Sequence, residues 1–243
     1  YYNAEAEWSG GEYMLQQKVC KALTTRQLDF DLIPQDTLRG ASTVRDGRLA
    51  VNEETYGALV VPYSQYLPEA LLLRMEELAA AGLPVLFVDG YPDAASEQRS
   101  IAGKLTHCAV VPLAQLANAL TGAGLRSVAA ADEVPLRFYH IQRGGRDLYM
   151  LWNEDAANGF DTRVTLPGSG AAVFYDAWNN RLARAQTEGG AVRVKLAPAQ
   201  ALLLCVGGEE EESLPRFDYR DGVAEPLALN WRVAVCGKPN GAF

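Results

Sequence analysis

The chain of 243 residues is 49% hydrophobic and 21% charged, enough apolar material for the core of one large or two ordinary domains. Its formal net charge of -8 argues against a nucleic-acid-binding protein, because no basic stripe is present to neutralise phosphates. No stretch approaches the roughly 18 to 20 apolar residues that cross a bilayer, and the start of the sequence is not a signal peptide. We therefore expect a globular protein that binds neither nucleic acid nor membrane.

The first half of the sequence alternates helical periods with short apolar runs. Residues 11–24 carry apolar side chains at helical spacing and predict a first helix. Residues 30–34 predict a short strand that Pro34 ends, and residues 47–52 predict a small hairpin arm. Residues 56–62 form an unbroken apolar run, which is typical of a strand buried on both faces of a parallel sheet.

The same alternation continues with the clearest helix of the sequence. Residues 68–81 place Leu71, Leu72, Met75, Leu78 and Ala79 on one face, with Pro68 in the first turn and Gly82 as the C-cap. Two further strands, at 84–89 and 108–111, and a helix at 113–120 follow. Strands and helices at this spacing predict an open, mostly parallel sheet that is covered on both faces.

After about residue 124 the apolar pattern changes to period two, with turn residues every eight to twelve positions. Six strands are predicted, at residues 138–142, 147–153, 162–166, 172–176, 192–196 and 201–206. Short antiparallel strands in this number predict a β-sandwich. The predicted domains are therefore an α/β domain over 1–124 and a β-sandwich over 125–208. Residues 209–243 would be an acidic linker, beginning with Glu209–Glu212, and a strand at 229–235 that starts a further, truncated β-domain.

Several segments resemble the region that follows the catalytic barrel in large bacterial glycoside hydrolases of the α-L-rhamnosidase and β-galactosidase type. Residues 4–11, 28–34 and 56–62 look like the amidotransferase-like, flavodoxin-type domain of these enzymes. Residues 174–179 look like a hairpin of the small β-sandwich that follows that domain, and Trp231 would open the next β-domain. The resemblance covers nearly the whole chain and rests on pattern and order rather than on an invariant signature.

The resemblance implies a flavodoxin-like, class I amidotransferase-like sheet followed by the β-sandwich. It also implies that the nucleophile and the general acid lie on a preceding barrel of roughly 250 residues, which does not fit within this chain. We therefore expect a non-catalytic accessory fragment that packs on the parent barrel. The alternative is a free-standing carbohydrate-binding or sensing protein.

An active amidotransferase needs a cysteine on the strained turn after a central strand, with a histidine as its base. Here the turn after the strand at 84–89 reads Asp89-Gly90-Tyr91, without a thiol. Cys108 instead begins an apolar run, and His107 and His140 are the only histidines. We therefore expect no catalytic residue in this chain.

A ligand site is predicted at the carboxyl ends of the parallel strands, where open α/β sheets bind ligands. The candidates are carboxylates and aromatic rings, which suit sugar hydroxyls and sugar faces. They are Glu5, Glu7, Trp8, Tyr63, Asp89 and Tyr91. The structural alternative is that Trp8 packs on a neighbouring domain, Glu5 and Glu7 cap the first helix, and Asp89 completes a turn.

No cofactor or metal is expected, because the glycines at 10 and 11 lack a phosphate-loop pattern and the cysteines lack chelating spacing. Cys20, Cys108, Cys205 and Cys236 are expected to be buried, reduced core residues, which slightly favours the cytoplasm. The expected partners are carbohydrate or the parent barrel. A homo-oligomer is also expected, because an excised domain exposes apolar interdomain surface.

Overall fold

The structure is a computed structural model that describes residues 11–97, 99–168, 170–208 and 212–220. It is a mixed α/β fold in which three of the described sheets are antiparallel and two, of three and two strands, are parallel. The helices are α1 (Gln16–Thr25), α2 (Gln35–Gly40), α3 (Glu69–Ala80) and α4 (Leu113–Gly122). None of these described helices has the length and apolar character needed to span a membrane.

The strands up to residue 111 form a three-stranded parallel sheet, a three-stranded antiparallel sheet and a two-stranded parallel sheet. They are β1 (Ser42–Arg45), β2 (Arg48–Val51), β3 (Glu54–Tyr56), β4 (Leu59–Val61), β5 (Tyr66–Leu67), β6 (Val85–Val88), β7 (Ala94–Ala95) and β8 (Ala109–Val111). The parallel sheet has the order β4-β6-β8, so the predicted parallel pairing is confirmed. Strands β1, β2 and β3 form an antiparallel meander, of which the predicted hairpin arm is the middle part.

Helix α3 confirms the predicted apolar face, although the helix spans Glu69–Ala80 and its C-cap is Ala81 rather than Gly82. All five side chains assigned to its apolar face are buried. Gly82 follows the helix with a φ of +97°, a conformation that glycine adopts without steric cost.

Two predictions for the first half are wrong. Residues 30–34 form no strand; they lead into α2, which the sequence did not predict. A strand requires a hydrogen-bonded neighbour as well as suitable residues, and that neighbour is a tertiary property. Helix α1 begins at Gln16 rather than near residue 11, because Tyr13 forms an antiparallel bridge with Ser64.

The strands after residue 124 form two antiparallel sheets. They are β9 (Ala129–Ala130), β10 (Leu136–Arg143), β11 (Arg146–Asn153), β12 (Phe160–Thr165), β13 (Ala172–Asp176), β14 (Arg181–Arg184), β15 (Thr187–Glu188), β16 (Ala191–Leu196) and β17 (Ala201–Val206). All six predicted strands are confirmed, two of them to the residue, and the short strands β9, β14 and β15 were missed. The sheet orders are β10-β11-β17-β13-β14 and β15-β16-β12-β9. Side chains of both sheets, such as Phe174 and Val194, share one buried core.

The α/β part and the antiparallel part have separate cores and meet through a polar contact. Gln27 is only 3% exposed at this contact. Its Nε2 donates to the carbonyl of Leu136 at 3.3 Å, and its Oε1 accepts from Nη2 of Arg126 at 2.5 Å. Arg137 adds a hydrogen bond from its Nη1 to the carbonyl of Thr24 at 3.3 Å.

The cysteines only partly follow the sequence prediction. Cys108 is buried, as predicted, whereas Cys20 and Cys205 are half-buried, and all three are free thiols. Cys205 is less buried than predicted because it lies on the outer face of its sheet. Cys236, residues 209–211 and the predicted strand at 229–235 lie outside the described residues.

Candidate functional site

The carboxyl edge of the parallel sheet brings two of the predicted site residues into one depression. Tyr63 lies two residues beyond β4, and Asp89 follows β6 directly. Both line an open depression of about 500 Å³, together with Glu12 and Lys18. Glu5, Glu7 and Trp8 lie outside the described residues.

Asp89 has a defined role in the turn after β6. Its φ is +64°, a left-handed conformation that few residues other than glycine, asparagine and aspartate adopt. Its backbone N–H donates to the carbonyl of Val111 at 3.0 Å, and its Oδ1 accepts from the backbone N–H of Leu113 at 2.7 Å. The carboxylate therefore caps helix α4 while it remains exposed at the depression.

The two tyrosines of the predicted site have different surroundings. Burial, assisted by the nearby Asp93 and Glu12, raises the pKa of Tyr63, which lines the depression. Tyr91 does not line it. Its hydroxyl donates to the carbonyl of Cys108 at 2.6 Å, and its ring packs edge-on against Phe87 at 5.2 Å between centroids.

A cysteine, a histidine and a glutamate meet beside β8, in an arrangement that superficially suggests a catalytic triad. Sγ of Cys108 lies 3.5 Å from Oε2 of Glu76, and Nδ1 of His107 lies 2.7 Å from Oε1 of Glu76. Burial and the neighbouring Glu76 raise the pKa of Cys108 to about 12. A nucleophilic cysteine needs the opposite shift, so this thiol is not activated.

Glu76 instead organises the loop before β8. Its Oε1 accepts hydrogen bonds from the backbone N–H of Thr106 at 3.0 Å and from the Thr106 hydroxyl at 2.6 Å. Burial acts to raise the pKa of Glu76, but these bonds and those from His107 outweigh it and lower the pKa to about 2. The sequence could not reveal this cluster, because Glu76 and Thr106 are 30 residues apart.

A second group of carboxylates lines a cleft of about 420 Å³ between α1, residues 28–33 and β4. The hydroxyl of Tyr56 donates to Oδ2 of Asp31 at 2.7 Å. Burial raises the pKa of Asp29, and the carboxylates of Asp31 and Glu54 add to this effect. The sequence signal for this group is the alternation Asp29-Phe30-Asp31, of which only Phe30 and Asp31 fall in the strand predicted at residues 30–34.

The hairpin between β13 and β14 presents a fully exposed aromatic ring. Trp178 is 91% exposed. Oδ1 of Asp176 accepts from the backbone N–H groups of Trp178 and Asn179 at 3.0 and 3.2 Å, which fixes the turn. The sequence predicted this turn but not the exposure of its tryptophan.

Among the described residues, no group of three or more His, Cys, Asp or Glu side chains is arranged to hold a metal ion.

The fold of this chain is similar to parts of several longer enzymes of known structure. No protein-family model matches the sequence, and no curated protein matches it. Among solved structures, a rhamnosidase from Novosphingobium sp. PP1Y is similar with a TM-score of 0.60 and 16% identity over 81% of this chain. An exo-carrageenase GH42 from Bacteroides ovatus has a TM-score of 0.54 and 12% identity over 79% of this chain. Gan42B, a GH42 beta-galactosidase from G. stearothermophilus, has a TM-score of 0.54 and 9% identity over 84% of this chain.

At these identities the likeness concerns the fold. The matched region is 21% of the rhamnosidase chain, 26% of the exo-carrageenase chain and 39% of the β-galactosidase chain. This chain therefore shares its fold with a minor part of each enzyme.

Proposed function

We propose that this chain is a non-catalytic accessory region of a glycoside hydrolase whose catalytic barrel lies outside these residues. The observation that carries the proposal is the fold shared with 21% to 39% of three carbohydrate-active enzymes. The named activities belong to those proteins. We infer for this chain only the general class of a carbohydrate-active parent.

The chemistry of Cys108 and Asp89 supports a non-catalytic role for these two residues. The Cys108 thiol has a raised pKa and donates towards Glu76, so it is unsuited to attack a substrate. Asp89, the predicted carboxylate nearest the strand ends, is engaged in capping helix α4. Glycoside hydrolysis needs two carboxylates held around the glycosidic bond, a role that a helix cap does not serve.

In the same proposal, residues 1–124 form an amidotransferase-like, flavodoxin-type domain and residues 125–208 form a β-sandwich domain. Residues 209–243 form the linker and the start of a further β-domain. The separate cores on the two sides of residue 124 support the first boundary. The depression around Tyr63 and Asp89 would then contact the parent barrel or its substrate.

The test is hydrolysis of aryl α-L-rhamnosides and aryl β-D-galactosides by the 243-residue chain. We expect release of the aryl group at the rate of the buffer alone. Release above that rate, abolished by Asp89→Asn in a variant that remains folded, would contradict the proposal.

A second candidate is a carbohydrate-binding or sensing protein. Its support is the depression itself, which is lined by two tyrosines, two carboxylates and a lysine. Titration calorimetry with L-rhamnose and with D-galactose tests it, using Tyr63→Ala and, as a control on the other part of the chain, Trp178→Ala. Binding lost only in Tyr63→Ala supports this candidate, whereas binding lost only in Trp178→Ala excludes the depression as the site.

A further inference from the structure

Residues 28–33 lie beside the parallel sheet and distribute their side chains as a strand does, although they form none. Leu28 packs in the core that α1 and α4 cover, whereas Ile33 packs in the core on the opposite side of the sheet. Strand β6 divides its side chains between the same two cores, with Val88 in the first and Phe87 in the second. The segment therefore lies in the layer of the parallel sheet.

The backbone of this segment lacks the hydrogen bonds of a sheet. Among the described residues, no backbone N–H or C=O group of residues 29–33 bonds to another backbone group. The N–H of Phe30 donates to Oδ1 of the preceding Asp29 at 3.0 Å. Backbone groups in a sheet layer normally bond to a neighbouring strand, so this position has room for a partner.

The cleft of about 420 Å³ lies where that partner would run. It separates residues 28–33 from β4, and the apolar side chains that line it include Val19 and Leu23 of α1 and Leu120 of α4. A strand of a parallel sheet covered by helices is itself apolar on both faces. The lining of the cleft therefore suits an apolar strand.

The path of the chain before α1 indicates where such a strand comes from. The N–H of Met14 donates to the carbonyl of Tyr63 at 2.8 Å, two residues beyond the carboxyl end of β4. A strand that ends at this edge, followed by α1 and then by residues 28–33, makes a β-α-β unit. The two strands of such a unit are parallel and belong to one sheet.

We propose that the cleft binds a further parallel β-strand, which the same polypeptide contributes upstream of Tyr1. Strands buried on both faces of a parallel sheet are near-continuous apolar runs. Residues 1–10 contain no such run of four residues, because Asn3, Glu5 and Glu7 interrupt them. The proposed strand is therefore an apolar run of four or more residues that ends close to Tyr1.

With this strand, the sheet has the order residues 28–33, new strand, β4, β6 and β8, which is the flavodoxin-like order 2-1-3-4-5. The inference rests on the proposed function only in placing the chain within a longer polypeptide. It uses no residue of the depression around Tyr63 and Asp89.

Thiol labelling tests the proposal, because the half-buried Cys20 lines the cleft. Three polypeptides are compared: the 243-residue chain, the chain extended by the preceding residues of its native gene, about 12 in number, and the chain extended by a Gly/Ser segment of equal length. Cys20 should react with a maleimide at least about tenfold more slowly with the native extension than in the other two. Cys205, also half-buried but located on β17, is the internal control and should react equally in all three.

Amide hydrogen exchange of residues 29–33 provides a second measurement. Pairing with a neighbouring strand on one side protects alternate residues, either 29, 31 and 33 or 30 and 32. One of these two sets should exchange at least about tenfold more slowly with the native extension than with the Gly/Ser extension.

The proposal is overturned if the native gene encodes no apolar run of four residues that ends close to Tyr1. It is equally overturned if the native and Gly/Ser extensions give the same Cys20 labelling rate and the same exchange. Protection of Cys20 in the 243-residue chain that rises with protein concentration would identify a second copy as the occupant and would also contradict the proposal. Each of these results concerns the strand alone, because the proposed accessory role is measured separately, by aryl glycoside hydrolysis.

Discussion

Three neighbouring residues have a structural role although their side chains are of the types found in catalytic sites. Glu76, His107 and Cys108 are the residue types of a thiol hydrolase, but their hydrogen bonds run in the opposite sense. The thiol donates towards Glu76 rather than losing its proton to the histidine, and Glu76 holds the loop at Thr106. The pKa directions of Cys108 and Glu76 distinguish the two arrangements where residue identity does not.

Glu76 should make stability depend on acid pH. Its pKa falls from 4.5 to about 2 on folding, so its contribution is complete above pH 4.5 and is lost as the pH falls towards 2. At neutral pH, Glu76→Gln should lower the free energy of unfolding by about 1 to 3 kcal/mol, because its donors lose a charged acceptor. Urea unfolding at pH 7 and at pH 3 measures both effects.

Glu77→Gln is the control at the adjacent position, where the side chain is 67% exposed and pairs with Arg74. It should change the free energy of unfolding by less than about 1 kcal/mol. If Glu76→Gln loses as much stability between pH 7 and pH 3 as the wild-type chain does, Glu76 is not the responsible group.

At the scale of elements, Asp89 connects the parallel sheet to helix α4. Asp89→Ala should cost about 1 to 2 kcal/mol, since it removes the cap of Leu113 and places a Cβ-bearing residue without a polar group at a φ of +64°. Asp89→Asn should cost less, because asparagine tolerates this conformation and keeps an acceptor oxygen. Thermal unfolding of both variants measures the difference.

Asp93→Ala serves as the reference for loss of a surface carboxylate, since Asp93 is exposed in the following loop and its Oδ2 accepts one exposed hydrogen bond, from Nε2 of Gln65 at 3.2 Å. An Asp89→Ala variant as stable as Asp93→Ala would show that the hydrogen bond to Leu113 contributes nothing.

Elements with a strong local pattern could be predicted from the sequence, and those that depend on distant partners could not. Helix α3 has its five apolar residues at helical spacing, and strands β13 and β17 alternate between buried and more exposed residues. The observed position of each element therefore agrees with its prediction from the sequence. Residues 30–34 have strand-like composition, yet no hydrogen-bonded neighbour makes them a strand. Of the candidate site, the position of Tyr63 and Asp89 followed from strand order, whereas the Glu76 cluster required contacts across 30 residues.

At the scale of the whole molecule, Gln27 couples the two cores. Gln27→Ala removes the buried acceptor of the Arg126 guanidinium and one of two side-chain donors to the carbonyl of Leu136, which keeps its bond from Arg137. We expect a loss of about 1 to 3 kcal/mol in the free energy of unfolding. Gln17→Ala, at an exposed position of helix α1, is the control for loss of a glutamine side chain. Equal stability of the two variants in urea would contradict a structural role for this contact.

As a whole, the chain shares its fold with a minor part of larger carbohydrate-active enzymes. The most direct test of the proposed accessory role compares hydrolysis of aryl rhamnosides and aryl galactosides by this chain and by the polypeptide that its native gene encodes. We predict activity in the longer polypeptide alone, and the sugar it accepts would identify the substrate class. Hydrolysis by the 243-residue chain itself, at a rate comparable to that of the longer polypeptide, would contradict the central claim.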